Sequence, residues 1–120
     1  MSSVLIWGDI TNIGKKAFKN CNSLDSISIP SSCKVIEESA FEACTDMDDI
    51  LLWGDTNIGN SAFRGCTSLE EISIPSGTEY IGDYAFEGCS NLENVILWGN
   101  STKIGKDAFA NCPKLKSVPR

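Results

Sequence analysis

The chain has 120 residues, 42% of them hydrophobic, and a formal net charge of −6, which suits one compact domain. The acidic balance argues against nucleic acid, whose phosphates need a basic face, and against anionic membrane surfaces. No apolar run is long enough to span a bilayer, and no charged segment leads into an apolar one in the manner of a signal peptide.

Val4 and Ile6 open the chain with the alternation of a short strand. The chain then turns and enters Ile13-Gly14-x-x-Ala17-Phe18-x-x-Cys21, where the apolar residues fall four, five and eight positions after the isoleucine. That is the spacing of one face of a helical turn. Leu24-x-x-Ile27-x-Ile29 is a second half-buried strand, and Ala40-Phe41-x-x-Cys44 a second turn segment. The cycle recurs at Met47-x-x-Ile50-x-Leu52, Ala62-Phe63-x-x-Cys66, Leu69-x-x-Ile72-x-Ile74, Ala85-Phe86-x-x-Cys89, Leu92-x-x-Val95-x-Leu97 and Ala108-Phe109-x-x-Cys112, and it breaks off at Leu115-x-x-Val118. The five cysteines are 23, 22, 23 and 23 residues apart. A period in the low twenties is that of a solenoid with one coil per repeat. The third coil is one residue short, at Trp53-Gly54-Asp55-Thr56-Asn57-Ile58.

These motifs resemble the leucine-rich repeat of the BspA-like, or Treponema-type, surface-protein subclass. Ser23-Leu24 through Pro30 and Ile81-Gly82 through Cys89 carry the resemblance most fully, and five copies in register extend it over the whole chain. Glu37 in place of glycine and Met47 in place of leucine are local departures. The resemblance implies an α/β solenoid of about five coils, with a parallel concave β-sheet and short helical or 3-10 segments on the convex side. It implies one leucine-rich repeat domain over 1–120, which could also be a fragment of a longer array. It implies a binding or adhesion module with a protein or glycan ligand, at the cell surface or outside the cell. The lack of a visible signal peptide and the expected free thiols would fit the cytoplasm as well. The resemblance also assigns Asp9, Ser32, Asp55, Gly77 and Asn100 to the column that turns inward and bonds the adjoining coil. An inward Asn100 would make the sequon Asn100-Ser101-Thr102 a poor glycan acceptor.

The expected structural core is two columns, Phe18, Phe41, Phe63, Phe86 and Phe109, and Cys21, Cys44, Cys66, Cys89 and Cys112. Neighbouring cysteines ~4.8 Å apart with parallel Cβ vectors do not readily reach the ~90° S–S dihedral, so free buried thiols are expected. Cys33 falls at another core position. No C-x-x-C pair and no histidine occurs, which removes the usual zinc sites and Ser-His or Cys-His catalysis. Glu37-Glu38, Glu70-Glu71, Asp46, Asp48 and Asp49 occupy solvent-facing repeat positions. Thr45-Asp46-Met47-Asp48-Asp49 lacks the glycine and distal glutamate of a calcium loop, and Gly14-Lys15 and Gly105-Lys106 lack the rest of a phosphate loop. No enzyme, cofactor or metal site is expected.

A second period lies on top of the first. Odd strands end in Trp7-Gly8, Trp53-Gly54 and Trp98-Gly99, and even strands in Pro30-Ser31 and Pro75-Ser76. Strand alternation sends Leu5, Leu51 and Ile96, and with them Trp7, Trp53 and Trp98, to the outer face of the sheet. Such a stripe is either a binding surface or a lid of indoles packed on prolines. A homo-oligomer through this face or through uncapped ends is the alternative to a ligand-binding module.

Overall fold

The computed structural model describes residues 2–5, by backbone, and residues 9–117. Ile6, Trp7 and Val118, and the side chain of Leu5, lie outside the described residues. Every regular element within them is a β-strand. Five longer strands, β1 (Ser2–Leu5), β3 (Leu24–Ile29), β5 (Asp49–Leu52), β7 (Glu71–Ile74) and β9 (Asn94–Leu97), alternate with five of two residues, β2 (Asn12–Ile13), β4 (Val35–Ile36), β6 (Asn57–Ile58), β8 (Tyr80–Ile81) and β10 (Lys103–Ile104). The chain completes four turns between β1 and β9 and runs on through most of a fifth. Pairing is parallel and joins elements one coil apart, as in Ile27↔Ile50 and Ile13↔Ile36. The short strands form one sheet in the order β10-β8-β6-β4-β2, whereas the long strands form two, β1-β3-β5 and β7-β9. The molecule is a β-solenoid.

The expected helical segments are not there, and the α/β class becomes all-β. An α-helix satisfies its own amides four residues back. In the Ile-Gly-x-x-Ala-Phe-x-x-Cys stretch the amides reach only three back, as from Ala17 to Gly14 (3.2 Å) and Cys21 to Phe18 (3.1 Å), and alternate amides donate to the next coil: Lys16 to Glu38 (3.0 Å), Phe18 to Ala40 (2.7 Å) and Asn20 to Glu42 (2.8 Å). Two residues per coil are left-handed, Lys16 and Asn20 in the first (φ 59° and 64°), Ser61 and Gly65 in the third (58° and 75°). A left-handed residue every fourth position interrupts any right-handed helix. Turns that close every four residues put Ala, Phe and Cys on the inside just as a helix face would, so apolar spacing alone does not separate the two. The neighbouring coil, at bonding distance on each side, decides it.

The phenylalanine column is continuous. Rings from Phe18 through Phe41, Phe63 and Phe86 to Phe109 stack at centroid separations of 5.1, 5.3, 5.2 and 5.3 Å, within 10° of parallel. Beside it run the cysteines, each thiol donating to the phenylalanine carbonyl one coil back: Cys44 to Phe18 (3.0 Å), Cys66 to Phe41 (3.3 Å), Cys89 to Phe63 (3.2 Å) and Cys112 to Phe86 (3.2 Å). All six cysteines, Cys33 included, are free. Met47 is fully buried in the place of a leucine.

The inward polar column lies one or two positions later than the resemblance placed it. Asp9, Asp55, Gly77 and Asn100 are exposed and Ser32 is half-buried. Ser32 and Asp55 bond the adjoining coil from outside: the Ser32 hydroxyl donates to the Ile10 carbonyl at 2.7 Å, and the Asp55 carboxylate accepts from the Gly77 N–H at 3.1 Å. Thr56, Thr78 and Thr102 are buried, and their hydroxyls donate to the carbonyls of Cys33 (2.9 Å), Thr56 (3.0 Å) and Thr78 (2.7 Å). A threonine is short enough to reach the previous coil and apolar enough to sit in the core. Asn100, being exposed, loses the reason given against it as a glycan acceptor.

Candidate functional site

The long-strand face carries the candidate site. In β5 alternate residues point in and out, with Ile50 buried and Leu51 44% exposed. Trp53, just beyond the strand, is 67% exposed and Trp98, just beyond β9, is 68% exposed. Ile96 is half-buried, flanked across the ladder by the exposed Ser73. Leu51 pairs with Ser28 and Leu5 pairs with Ser28 from the other side. The structure therefore brings Leu51 with Trp53 and Ile96 with Trp98 to one face, two coils apart, with Ser73 and Pro75 between them.

Their backbone is firmly held. The Trp53 amide donates to Ile29 at 3.2 Å and the Trp98 amide to Ile74 at 3.1 Å. The glycine that follows each tryptophan permits the approach of the preceding coil. A β-carbon on Gly54 would lie 2.8 Å from the Ser31 Cα and carbonyl oxygen, and one on Gly99 would lie 2.3 Å from the Ser76 oxygen. The two-coil period thus has a packing cause: a Trp-Gly coil seats against the backbone of a Pro-Ser coil.

Sequence reasoning missed a break in this face. β5 and β7 are not paired, although β3-β5 and β7-β9 are. The repeat supplies one inter-coil bond at each end of the strands. At the near end it runs from Asp48 to Asp25 (3.0 Å), from Glu93 to Glu70 (2.8 Å) and from Lys116 to Glu93 (3.1 Å), yet the corresponding bond from Glu70 to Asp48 is missing. At the far end Pro75 has no N–H to give the Leu52 carbonyl, where Trp53 and Trp98 give theirs. In the register of the flanking pairs Asp48 and Asp49 would meet Glu70 and Glu71, and like charges directly opposite destabilise a ladder. The result is a cleft of about 420 Å³ lined by Asp48, Asp49, Leu51, Trp53, Glu71 and Ser73 among others. The acids at Asp48, Asp49, Glu70 and Glu71, the 22-residue step and Pro75 were its signs in the sequence.

The thiols are not nucleophiles in this setting. Burial pushes Cys44 up to about 11 and Cys89 up to about 12, in each case against a partial lowering by backbone hydrogen bonds, and it holds Cys33, Cys66 and Cys112 above their ordinary value too. They are protonated at neutral pH, and the thiolate is the reactive form. Among the described residues no group of three or more acidic, cysteine or histidine side chains converges as a metal site, and no helix is long and apolar enough to cross a membrane.

Comparison with known proteins bears on the whole chain. The family model for the BspA type leucine rich repeat region matches residues 1–116, in six copies. A leucine-rich repeat protein from Bacteroides ovatus is similar in structure, with a TM-score of 0.75 and 32% identity over 95% of this chain. This chain spans 36% of that protein. A leucine rich cell surface protein from Faecalibacterium prausnitzii (TM-score 0.58, 21% identity, 97% of this chain and 46% of that one) and a leucine rich repeat protein from T. pallidum (TM-score 0.53, 22% identity, 97% and 78%) share the fold. No curated protein matches the sequence.

Proposed function

This chain belongs to the BspA type leucine-rich repeat family, and from that premise we propose that it is a non-enzymatic binding module whose long-strand face takes a protein or glycan partner. One observation carries the reading: Trp53 and Trp98 stand 67% and 68% exposed on a backbone fixed by inter-coil bonds. Indoles packed on prolines as a lid would be largely covered. Rigid, open aromatic side chains lose little entropy on contact and supply much area, and they dominate binding energy where they sit at the centre of an interface. Leu51 and Ile96 add apolar surface beside them. The core does not need these side chains, because Ile50 on β5 and Ile72 and Ile74 on β7 fill it from the inner side, with Val95 and Leu97 of β9 packed against it.

The test is a peptide and glycan array probed with the wild-type chain, with Trp53→Ser and with Lys15→Ser, which lies on the turn side. Hits lost in Trp53→Ser and retained in Lys15→Ser support the face as the binding surface. Hits equally retained by Trp53→Ser place binding elsewhere. Light scattering on the same samples identifies a second copy as the partner if mass rises with concentration in wild type alone.

A further inference from the structure

We propose that the opening between β5 and β7 receives an arginine- or lysine-bearing extended segment of a partner protein, a proposal that rests on the binding-module reading and names its partner. The opening is local. Across the same coil junction Ile58 pairs with Ile81, and the turn side is bonded from Ser61 to Asp83 (2.9 Å), Phe63 to Ala85 (2.8 Å) and Gly65 to Glu87 (2.8 Å). Only the long-strand face parts, so the coils stay stacked and a cleft remains between two strand edges.

What the cleft offers is dominated by negative charge, set over strand edges that carry both backbone acceptors and backbone donors. The Asp48 and Leu52 carbonyls lack the inter-coil donors that the repeat gives their counterparts. The exposed carboxylates of Asp48, Asp49, Glu70 and Glu71 stand around them. Four exposed carboxylates around an open strand edge call for a positively charged ligand, and a guanidinium carries five N–H donors in a planar fork. The carboxylates do not converge on a point as metal ligands would. A bulky organic cation with splayed donors suits such a set better than a bare ion. Trp53 forms one wall with its ring open, where a guanidinium can stack.

The surroundings indicate an extended segment rather than a single residue. The position of Asp48 and Glu70 in the repeat is held in the flanking coils by Asp25 and Glu93, so acids occupy it in four successive coils. The ion pair found along that row is Lys116 with Glu93, at 3.9 Å. Four coils span about 14 Å, the length of four or five extended residues. A segment running across the strands along this row places a basic side chain in the opening and others on the acids beside it.

The probe is a fluorescent eight-residue peptide alternating arginine and serine, titrated against the full chain, with a glutamine-serine peptide for comparison. Asp49→Asn/Glu71→Gln should weaken arginine-peptide binding at least about tenfold, as expected for losing charge-assisted bonds. Glu38→Gln/Asp107→Asn, an equal change of charge on the turn side, should change it less than about twofold. The glutamine peptide should not bind. Equal losses in both double variants would mean diffuse attraction to an acidic protein and overturn the proposal, as would equal binding of the neutral peptide. If the arginine peptide fails while Trp98→Ser, on the coil beyond the opening, still abolishes array hits, this inference falls and the binding module stands. If neither matters, both fall.

Discussion

Phe63→Ala is the sharpest perturbation of the core. The ring is fully buried and lies between Phe41 at 5.3 Å and Phe86 at 5.2 Å. Truncating a buried phenylalanine costs about 3–5 kcal/mol, more where the surroundings cannot collapse. Here they cannot, because the backbone on both sides is tied at the coil spacing by the bonds from Phe41 to Ala62 and from Phe63 to Ala85, each 2.8 Å. The expected loss is therefore about 4–5 kcal/mol, out of roughly 6–18 kcal/mol for a chain of this length. With a urea m-value of about 2 kcal/mol/M, the midpoint falls by about 2 M, read by circular dichroism. Phe18→Ala serves as the internal comparison. That ring is half-buried and stacks on Phe41 among the described rings, so its loss should cost about 1–2 kcal/mol. A Phe63 variant that loses less than about 1 kcal/mol, or a Phe18 variant that loses as much as it, would refute the stacked-column argument.

Gly54→Ala should destabilise by about 1–3 kcal/mol through its clash with Ser31, whereas Gly14→Ala, whose β-carbon would meet nothing within 4 Å, should be close to neutral. Paired urea melts check both. The thiols predict an alkaline loss of stability. The folded values of Cys44 and Cys89 are raised from 9.0 to about 11 and about 12, so the unfolded chain releases their protons first. Their contribution is complete below pH 9 and is lost as pH rises from 9 to about 12. Cys89→Ala should therefore show a shallower decline between pH 8 and 11 than wild type, and equal slopes would contradict the assignment. At pH 8 in the native state an alkylating reagent should modify the half-buried Cys21 and Cys112 before Cys66 and Cys89, as mass spectrometry can follow.

The coil was legible because a column is cheap to read. Five phenylalanines and five cysteines at one spacing must stack, and Met47, buried in the leucine column, shows that a column tolerates a change of residue but not of character. What stayed hidden depends on the adjoining coil rather than on the segment itself. Ala17-Phe18-x-x-Cys21 has helical spacing, and only the bonds to Glu38, Ala40 and Glu42 reveal a turn ladder. The polar column lay at Thr56, Thr78 and Thr102, one or two residues beyond the place where the resemblance put it, since side chains that are exposed on one coil can still bond the next. On the face of the site, Leu51, Trp53 and Trp98 stood out by strand alternation. The opening beside them did not, because it arises where four carboxylates would meet on two strands whose mutual register sequence spacing does not weigh.

The central claim is that the indoles are presented for binding and do not hold the fold. Its most direct test is the unfolding free energy of the Trp53→Ser/Trp98→Ser double variant. Side chains 67% and 68% exposed bury little area, so the account predicts a loss within about 1 kcal/mol and an unchanged circular dichroism spectrum. A loss above about 3 kcal/mol would make the tryptophans structural and contradict it.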